Sequence, residues 1–307
     1  ARQEEAAEQD LRDHHHGHEL HGLELGAGEG GDEQAEGGAE DRVGKASLLR
    51  QFVKLSGGRR SQIVLIPTAS SFQQEVTDAY TEVFTRLGAG GLDVVNPATR
   101  ADAHSPASVA AIDAASGIFM SGGSQLRLSQ LLPGTPVGDA LHRAHERGAV
   151  VGGTSAGASI MSDFMISMGD EGVTPRQRAS QITAGLGLIR GVVVDQHFDQ
   201  RARYGRLMSV LATSPHLLGI GIDEDTAVIV EDLKRFTVQG RGAVFVVDCR
   251  SAVTDAPDAA PGAPVLVSGA TVHTLPAGST FDLVNRALTG FIEQHPDLLV
   301  SVAAAKA

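Results

Sequence analysis

The sequence is poor in several residue types that would point to particular classes of protein. It contains no Trp and one Cys among 307 residues, and aromatic residues make up 4%. A single cysteine excludes an internal disulfide and allows an intracellular setting. Cys249 follows the apolar run 244–247, where a buried thiol is favoured over a nucleophile. The scarcity of aromatic rings gives base stacking little support, so nucleic acid is not an expected partner.

Long apolar runs and basic surfaces are also missing. No run of about 18 apolar residues occurs, and the acidic N-terminal stretch lacks the apolar core of a signal peptide. We therefore expect a cytoplasmic protein with no membrane partner. Residues 1–41 hold 13 of the 37 acidic but only 2 of the 25 basic residues, which is −11 of the net charge of −12. The nearly neutral remainder lacks the basic face that nucleic-acid binding requires.

Composition changes near residue 37, and this predicts the domain boundaries. Residues 1–36 are predicted to be a disordered acidic and His-rich tail. Its histidines at 14–18 could bind metal, but adventitious affinity of a disordered tail is the favoured interpretation. Residues 37–302 are predicted to form a single α/β hydrolase domain, and residues 303–307 a frayed end.

Apolar runs alternate with helical spacings over the first half of this domain. Fully apolar strands are expected at 63–66, 117–120 and 149–151. The order predicts a doubly wound α/β fold, with a mostly parallel central sheet and helices on both faces. Short runs between turn signals predict a small antiparallel addition toward the C-terminus. It includes a hairpin of 265–267 with 271–274, followed by a closing helix over 283–291.

What is present, in the middle of the chain, is the pattern G-x-S-x-G at 153–157. It follows an apolar strand and resembles a nucleophile elbow, in which a sharp strand-to-helix turn exposes the serine hydroxyl. The flanking glycines leave room for the strained backbone. Ser155 is therefore a candidate nucleophile. The alternative is an ordinary glycine-rich turn between a strand and a helix.

A nucleophilic serine needs a base, and the base needs an orienting acid. Only His197 follows an apolar strand at its expected carboxyl end, whereas His142 and His145 are expected on a solvated helix face. In open α/β sheets that edge collects catalytic groups. Asp223, Glu224 and Asp225 also follow an apolar segment, and spacing alone leaves the choice among these three acids open.

Two further features surround the candidate base and nucleophile. Ser121-Gly122-Gly123 ends the preceding strand, so the backbone N–H of Gly123 could form an oxyanion hole with that of Ala156. It could equally be a plain tight turn. Arg201, Arg203 and Arg206 closely follow His197. They predict either a fork for substrate carboxylates or structural pairing with Asp195 and Asp199.

Several segments taken together resemble the cyanophycinase family, a group of serine hydrolases related to peptidase E. The matching segments are 37–41, 66–70, 119–127, 153–158, 185–188, 195–198 with the three arginines, and 219–224. The block from Asp195 to Arg206 separates cyanophycinase-like sequences from peptidase E, which resembles this chain mainly at the elbow.

The resemblance implies a class I glutamine-amidotransferase-like fold and a homodimer without metal or organic cofactor. It implies serine-type, exopeptidase hydrolysis of cyanophycin, a poly-aspartate backbone with arginine on each side-chain carboxyl, to β-Asp-Arg dipeptides. It implies Ser155, His197 and Glu224 as the triad. It adds the substrate-binding residues Gln125, Gln196, Arg201, Arg203 and Arg206.

One departure from the family pattern precedes the segment 37–41. The family has an apolar strand there, whereas residues 30–36 are too polar for a buried strand. Leu20, Leu23 and Leu25 alternate too poorly to be expected to replace it. Either a strand is missing or an unusual segment takes its place. Two alternative functions also remain, an Asp-specific dipeptidase resembling peptidase E and a non-catalytic binding protein.

Overall fold

The computed structural model describes residues 22–25, 47–292 and 299–300. Its α-helices are α1 Ser47–Leu55, α2 Gln73–Leu87, α3 Pro106–Ala114, α4 Gln125–Leu131, α5 Pro136–Glu146, α6 Ala156–Ser159 and α7 Tyr204–Thr213. No helix in these ranges combines the length and apolar character needed to cross a bilayer.

The strands form two large sheets and one small ribbon. The larger sheet contains β1 Gly22–Leu25, β2 Gln62–Ile66, β3 Gly91–Val94, β4 Gly117–Met120, β5 Val150–Thr154, β10 Thr226–Glu231, β11 Arg235–Gly240, β16 Thr280–Asp282, β17 Ala287–Ile292 and β18 Leu299–Val300. The second contains β6 Ser162–Gly169, β7 Ser180–Ala184, β8 Ile189–Gln196, β9 Leu218–Ile222, β12 Ala243–Asp248 and β15 Thr271–Pro276. The ribbon pairs β13 Val253–Thr254 with β14 Val267–Ser268.

The predicted α/β fold is confirmed, and its core explains why helices cover both faces of the parallel strands. Strands β5, β4, β2 and β3 lie side by side and run parallel. Successive side chains of a strand point to opposite faces. Ile63 and Leu65 pack with Phe52 of α1 and Phe84 of α2, whereas Val64 belongs to the cluster on the other face, with residues of α3 and α5. Near-continuous apolar runs therefore fit strands covered on both sides.

The place of the apparently missing strand is occupied by β1. This strand lies between β5 and β10, antiparallel to β5 and parallel to β10. It includes Leu23 and Leu25, so the expectation that this segment could not serve is wrong. A central strand has backbone ladders on both edges, and these do not depend on side-chain alternation. The prediction that all of 1–36 is disordered is therefore wrong for the four residues of β1. The rest of that stretch, the segment 37–41 and the end 303–307 lie outside the described residues.

The second sheet carries the polar residues expected at the site. Its order is β15-β12-β9-β8-β6-β7, and β6, β8 and β9 run parallel. His197 follows β8, and Glu224 comes soon after β9. The elbow belongs to the larger sheet, because Ser155 follows β5. The candidate nucleophile and base are thus held by different sheets.

Two predicted elements near the C-terminus are wrong. The segment 265–267 does not pair with 271–274, because β14 pairs with β13 and β15 pairs with β12. The predicted helix over 283–291 is a turn followed by β17. The Asp282 carboxylate accepts the N–H groups of Val284 and Asn285, and β17 then pairs with β16. Side-chain capture of backbone donors favours a turn over a helix.

A third expectation fails at helix α5. His145 is buried at 5% exposure rather than solvated. Its side chain lies on the same helix face as the apolar core residues Leu141 and Ala144 rather than on the charged one. Burial lowers the pKa of His145 to about 4, with a smaller contribution from His142.

Candidate active site

The strand-to-helix turn at Ser155 has the strained geometry of a nucleophile elbow. Ser155 has φ 50° and ψ −110°, a region that residues with a side chain rarely occupy. It lies between the fully buried strand β5 and the short helix α6. A Cβ at Gly153 would overlap the backbone of Gly157, and one at Gly157 would overlap the carbonyl of Met120. Both glycines are therefore required by close backbone contacts.

The hydroxyl of Ser155 faces the candidate base. Its Oγ lies 3.2 Å from Nε2 of His197, and Nδ1 of the same ring lies 3.0 Å from Oε1 of Glu224. The side chains of His197 and Glu224 are 12% and 28% exposed, so these groups are largely shielded from solvent but still accessible to a substrate. A nucleophile, a base and an orienting acid within hydrogen-bond reach can transfer a proton away from the hydroxyl.

The structure distinguishes the three acids that spacing left open. Glu224 contacts His197, whereas the Asp223 carboxylate accepts the N–H groups of Asp199 at 3.1 Å and Ala243 at 3.0 Å. Asp225 pairs with Arg241 at 2.9 Å. Burial raises the pKa of Asp223. Only the middle acid of the three is therefore placed to orient the imidazole.

The glycine turn after β4 lies beside the serine, as the sequence predicts. A Cβ at Gly122 would lie 3.2 Å from Cβ of Ser155. Gly123 has φ 135°, and a Cβ there would overlap the carbonyl of Ala69. The N–H of Ala156 belongs to the first residue of α6, and such groups have no acceptor within their own helix. Two backbone donors thus lie on elements adjoining Ser155.

Two predicted substrate-binding glutamines lie on elements that adjoin the triad. Gln125 begins α4, and Ser124 caps this helix by accepting the N–H of Arg127 at 3.2 Å. Nε2 of Gln125 is buried and has no hydrogen-bond acceptor among the described residues. Gln196 is 3% exposed, and its Oε1 accepts the hydroxyl of Ser159 at 2.5 Å.

The three predicted arginines occupy different environments. Arg206 is buried and forms a two-bond pair with Asp195, through Nε at 2.6 Å and through Nη2. Arg203 is also buried, donates to the Gln196 carbonyl at 2.5 Å, and lies 3.6 Å from Asp195. Burial lowers the pKa of Arg203 to about 10, and Asp195 opposes this shift. Arg201 is half-buried. Asp195 thus pairs with two of the three arginines, Arg203 and Arg206, as the structural alternative predicted.

The loops that carry the base and the acid are joined by bonds that the sequence patterns did not reveal. Within the histidine loop, the backbone N–H of Arg201 donates to the His197 carbonyl at 3.1 Å. Across to the acid loop, Oε1 of Gln200 accepts the backbone N–H of Glu224 at 3.0 Å. Sequence reasoning missed Gln200 and treated Asp223 only as a candidate acid, because a hydrogen bond from a side chain to a distant backbone N–H has no signature in residue spacing. The one available signal was their position in the two polar segments that follow β8 and β9.

An α/β fold with a strained serine elbow facing a histidine–glutamate pair has the geometry of the serine hydrolase class. Comparison with known proteins narrows this class. The profile of peptidase family S51 matches residues 35–238. The chain therefore belongs to peptidase family S51.

Similar proteins include several cyanophycinases. The chain is 38% identical to the cyanophycinase of Nostoc sp. over 252 residues, which cover 81% of this chain and 85% of the relative. It is 37% identical to that of Synechococcus elongatus over 249 residues, covering 80% and 77%. The crystal structure of a peptidase from an acI-B1 Actinobacterium has a TM-score of 0.57 at 22% identity, covering 87% of this chain and 99% of that one. The last similarity confirms the fold.

Proposed function

We propose that this chain is a serine-type exopeptidase that hydrolyses cyanophycin to β-Asp-Arg dipeptides. The observation that carries the proposal is the line from Ser155 Oγ through His197 to Glu224, with distances of 3.2 and 3.0 Å. The family supports peptidase chemistry, and relatives named cyanophycinase at 35–38% identity support the substrate. A homodimer and a cytoplasmic location stay predictions.

The reaction follows from the positions of these groups. Ser155 Oγ attacks the carbonyl carbon of a backbone amide while His197 Nε2 takes the hydroxyl proton. The N–H groups of Gly123 and Ala156 stabilise the oxyanion of the tetrahedral intermediate. His197 then gives its proton to the departing amine, so the C–N bond breaks and an ester to Ser155 remains. Water then attacks the ester carbonyl while His197 takes its proton, the bond to Ser155 Oγ breaks and releases the carboxylic acid product, and His197 returns the proton to Oγ.

The proposal assigns substrate binding to Gln125, Gln196, Arg201, Arg203 and Arg206. Gln125 has a buried Nε2 without an acceptor among the described residues, and a substrate carbonyl or carboxylate would satisfy it. Arg201 follows His197 by four residues and is half-buried, which suits contact with a substrate carboxylate. Gln196 and Arg203 are more buried, so their proposed contribution is to shape the floor of the site.

Release of β-Asp-Arg from purified cyanophycin tests the proposal. Wild-type protein should release the dipeptide, and Ser155→Ala should abolish release. Ser251→Ala is the matched control, because Ser251 is exposed at the far end of β12, and it should retain wild-type activity. Hydrolysis of Asp dipeptides without action on cyanophycin would contradict the substrate and favour the peptidase E-like alternative.

A second measurement separates an enzyme from a binding protein. A serine-directed inhibitor should label Ser155, and His197→Ala should prevent the labelling because the hydroxyl loses its base. Cyanophycin binding without hydrolysis and without labelling would contradict the catalytic proposal.

A further inference from the structure

We propose that a cavity next to the His197 loop binds an arginine branch of the substrate away from the scissile bond. This proposal rests on the proposed function. The cavity has a volume of about 280 Å³, and its charged lining residues are Asp170, Glu171, Arg176 and Arg206. It lies between the segment that follows β6 and the beginning of helix α7.

The strand order places this cavity beside the catalytic line. Strands β9, β8 and β6 are neighbours and run parallel, so their carboxyl ends meet at one edge of the sheet. Glu224 comes soon after β9, His197 after β8 and Asp170 after β6. Adjacent strands lie about 4.8 Å apart. Asp170 therefore lies on the opposite side of the His197 strand from Glu224, within reach of an extended substrate.

A buried guanidinium, that of Arg206, contributes to the cavity. Arg206 is 6% exposed, and it donates to Asp195 through Nε and Nη2 and to the Gly169 carbonyl through Nη1 at 3.5 Å. A guanidinium has five N–H groups. Within the described part of the chain these bonds use three of the five, and the other two could donate to a ligand. Asp195 holds the group in a fixed orientation, which suits recognition of a carboxylate.

The opposite charge comes from two exposed carboxylates, Asp170 and Glu171. The segment that carries them is anchored, because the N–H of Gly172 donates to the Ala202 carbonyl and the N–H of Gly205 donates to the Gly172 carbonyl, both at 2.8 Å. The cavity thus combines the buried guanidinium of Arg206 on α7 with two exposed carboxylates on an anchored segment.

The arginine branches of cyanophycin carry the complementary pair of charges. Each arginine is joined to the polymer through its α-amine, so its α-carboxylate and its guanidinium are both free. The guanidinium would pair with Asp170 and Glu171, and the carboxylate would accept hydrogen bonds from Arg206. An arginine inside an ordinary peptide has no free α-carboxylate, so such a peptide offers the same pair of charges only at a C-terminal arginine. The cavity therefore favours the branched polymer over ordinary peptides.

Calorimetric titration of Ser155→Ala protein tests the subsite without turnover. The probes are a cyanophycin segment of three Asp-Arg units and poly-aspartate without arginine. Adding Asp170→Asn and Glu171→Gln should weaken binding of the segment by roughly tenfold, as expected for losing charge-assisted bonds. Binding of poly-aspartate should not weaken. The control adds Glu82→Gln and Glu146→Gln, which remove the same charge from exposed positions on α2 and α5 and should leave the segment's affinity unchanged.

If the cavity variant binds the segment as tightly as Ser155→Ala protein does, the subsite is overturned. If the cavity variant and the control variant lose affinity equally, the subsite is also overturned, because general electrostatics would then explain the effect. Melting temperatures show whether each variant is folded, and Glu171→Gln alone replaces the double change if that variant unfolds. Failure of the proposed function is distinguishable, since wild-type protein would then release no dipeptide from cyanophycin.

Discussion

Gln200 holds the backbone of Glu224, since its Oε1 accepts the N–H of that residue at 3.0 Å. Gln200 belongs to the loop that carries His197, whereas Glu224 follows a neighbouring strand. Asp223 ties the same two loops in the other direction, because its Oδ1 accepts the N–H of Asp199 at 3.1 Å. The base and its acid are therefore held at a fixed separation by bonds outside the triad.

Replacing Gln200 should disturb catalysis without removing a member of the triad. Gln200→Leu removes the acceptor of the Glu224 N–H, and one such bond contributes about 1 kcal/mol. We expect kcat to fall roughly fivefold, with a smaller change in KM, because the imidazole is oriented less well. Steady-state kinetics on soluble cyanophycin measure both constants. Gln74→Leu, at an exposed position of α2, is the control. A change in KM alone would contradict this positioning role.

Replacing Asp223 should affect stability as well as rate. Its two carboxylate oxygens each accept a backbone N–H, from Asp199 and from Ala243. Asp223→Asn keeps one oxygen and places an NH₂ group against the other donor. We expect the free energy of unfolding to fall by about 1–3 kcal/mol, together with kcat. Urea unfolding measures the first quantity, and unchanged values of both would refute the bridge.

The buried Asp195–Arg206 pair predicts a large loss of stability when one partner is removed. Asp195→Asn leaves the guanidiniums of Arg203 and Arg206 without their buried counter-ion. Breaking such a pair costs about 3–5 kcal/mol. The matched control is Asp113→Asn, which breaks the exposed pair with Arg143 at 2.9 Å and should cost far less stability, because solvent screens that pair. Similar losses in denaturant unfolding for both variants would contradict a structural role of Asp195.

His145 predicts a loss of stability at acidic pH. Burial lowers its pKa to about 4 from the ordinary 6.5. Between these two pH values the unfolded chain therefore binds a proton at this histidine that the folded chain does not bind. The stability of the neutral form is complete above about pH 6.5 and falls as pH drops toward 4, by about 3 kcal/mol in total. His145→Leu should reduce this slope in unfolding experiments across that range.

The control for this pH dependence is His216→Gln. His216 is exposed, and its backbone carbonyl, which the change retains, accepts the Arg286 side chain. His216→Gln should therefore show the same dependence of unfolding free energy on acidic pH as the wild-type protein. An identical slope in His145→Leu and wild-type protein would show that other groups govern acid stability.

The parallel strands and the serine elbow could be predicted from the sequence because their signals are local. The apolar run 63–66 predicts a strand covered on both faces, and β2 occupies that position. The elbow needs Gly153 for a local steric reason, since a Cβ there would overlap the backbone of Gly157, whereas Gly157 is also required by the distant carbonyl of Met120. The segment 283–291 shows the limit, because its apolar residues also fit the turn and strand that pairing with β16 selects.

The sequence by itself determined the nucleophile candidate, the base candidate and the alternation of strands and helices. Each depends on steric or apolar patterns over a few neighbouring residues. Spacing could not decide which acid faces His197, because Asp223, Glu224 and Asp225 are adjacent and chemically alike. The family resemblance implied Glu224, and the tertiary structure shows that Glu224 makes the contact. Their contacts come from the histidine loop, from Ala243 of β12 and from Arg241, which precedes β12. It also decided that β1 completes the larger sheet, because backbone pairing on both edges outweighs the weak apolar pattern of residues 22–25.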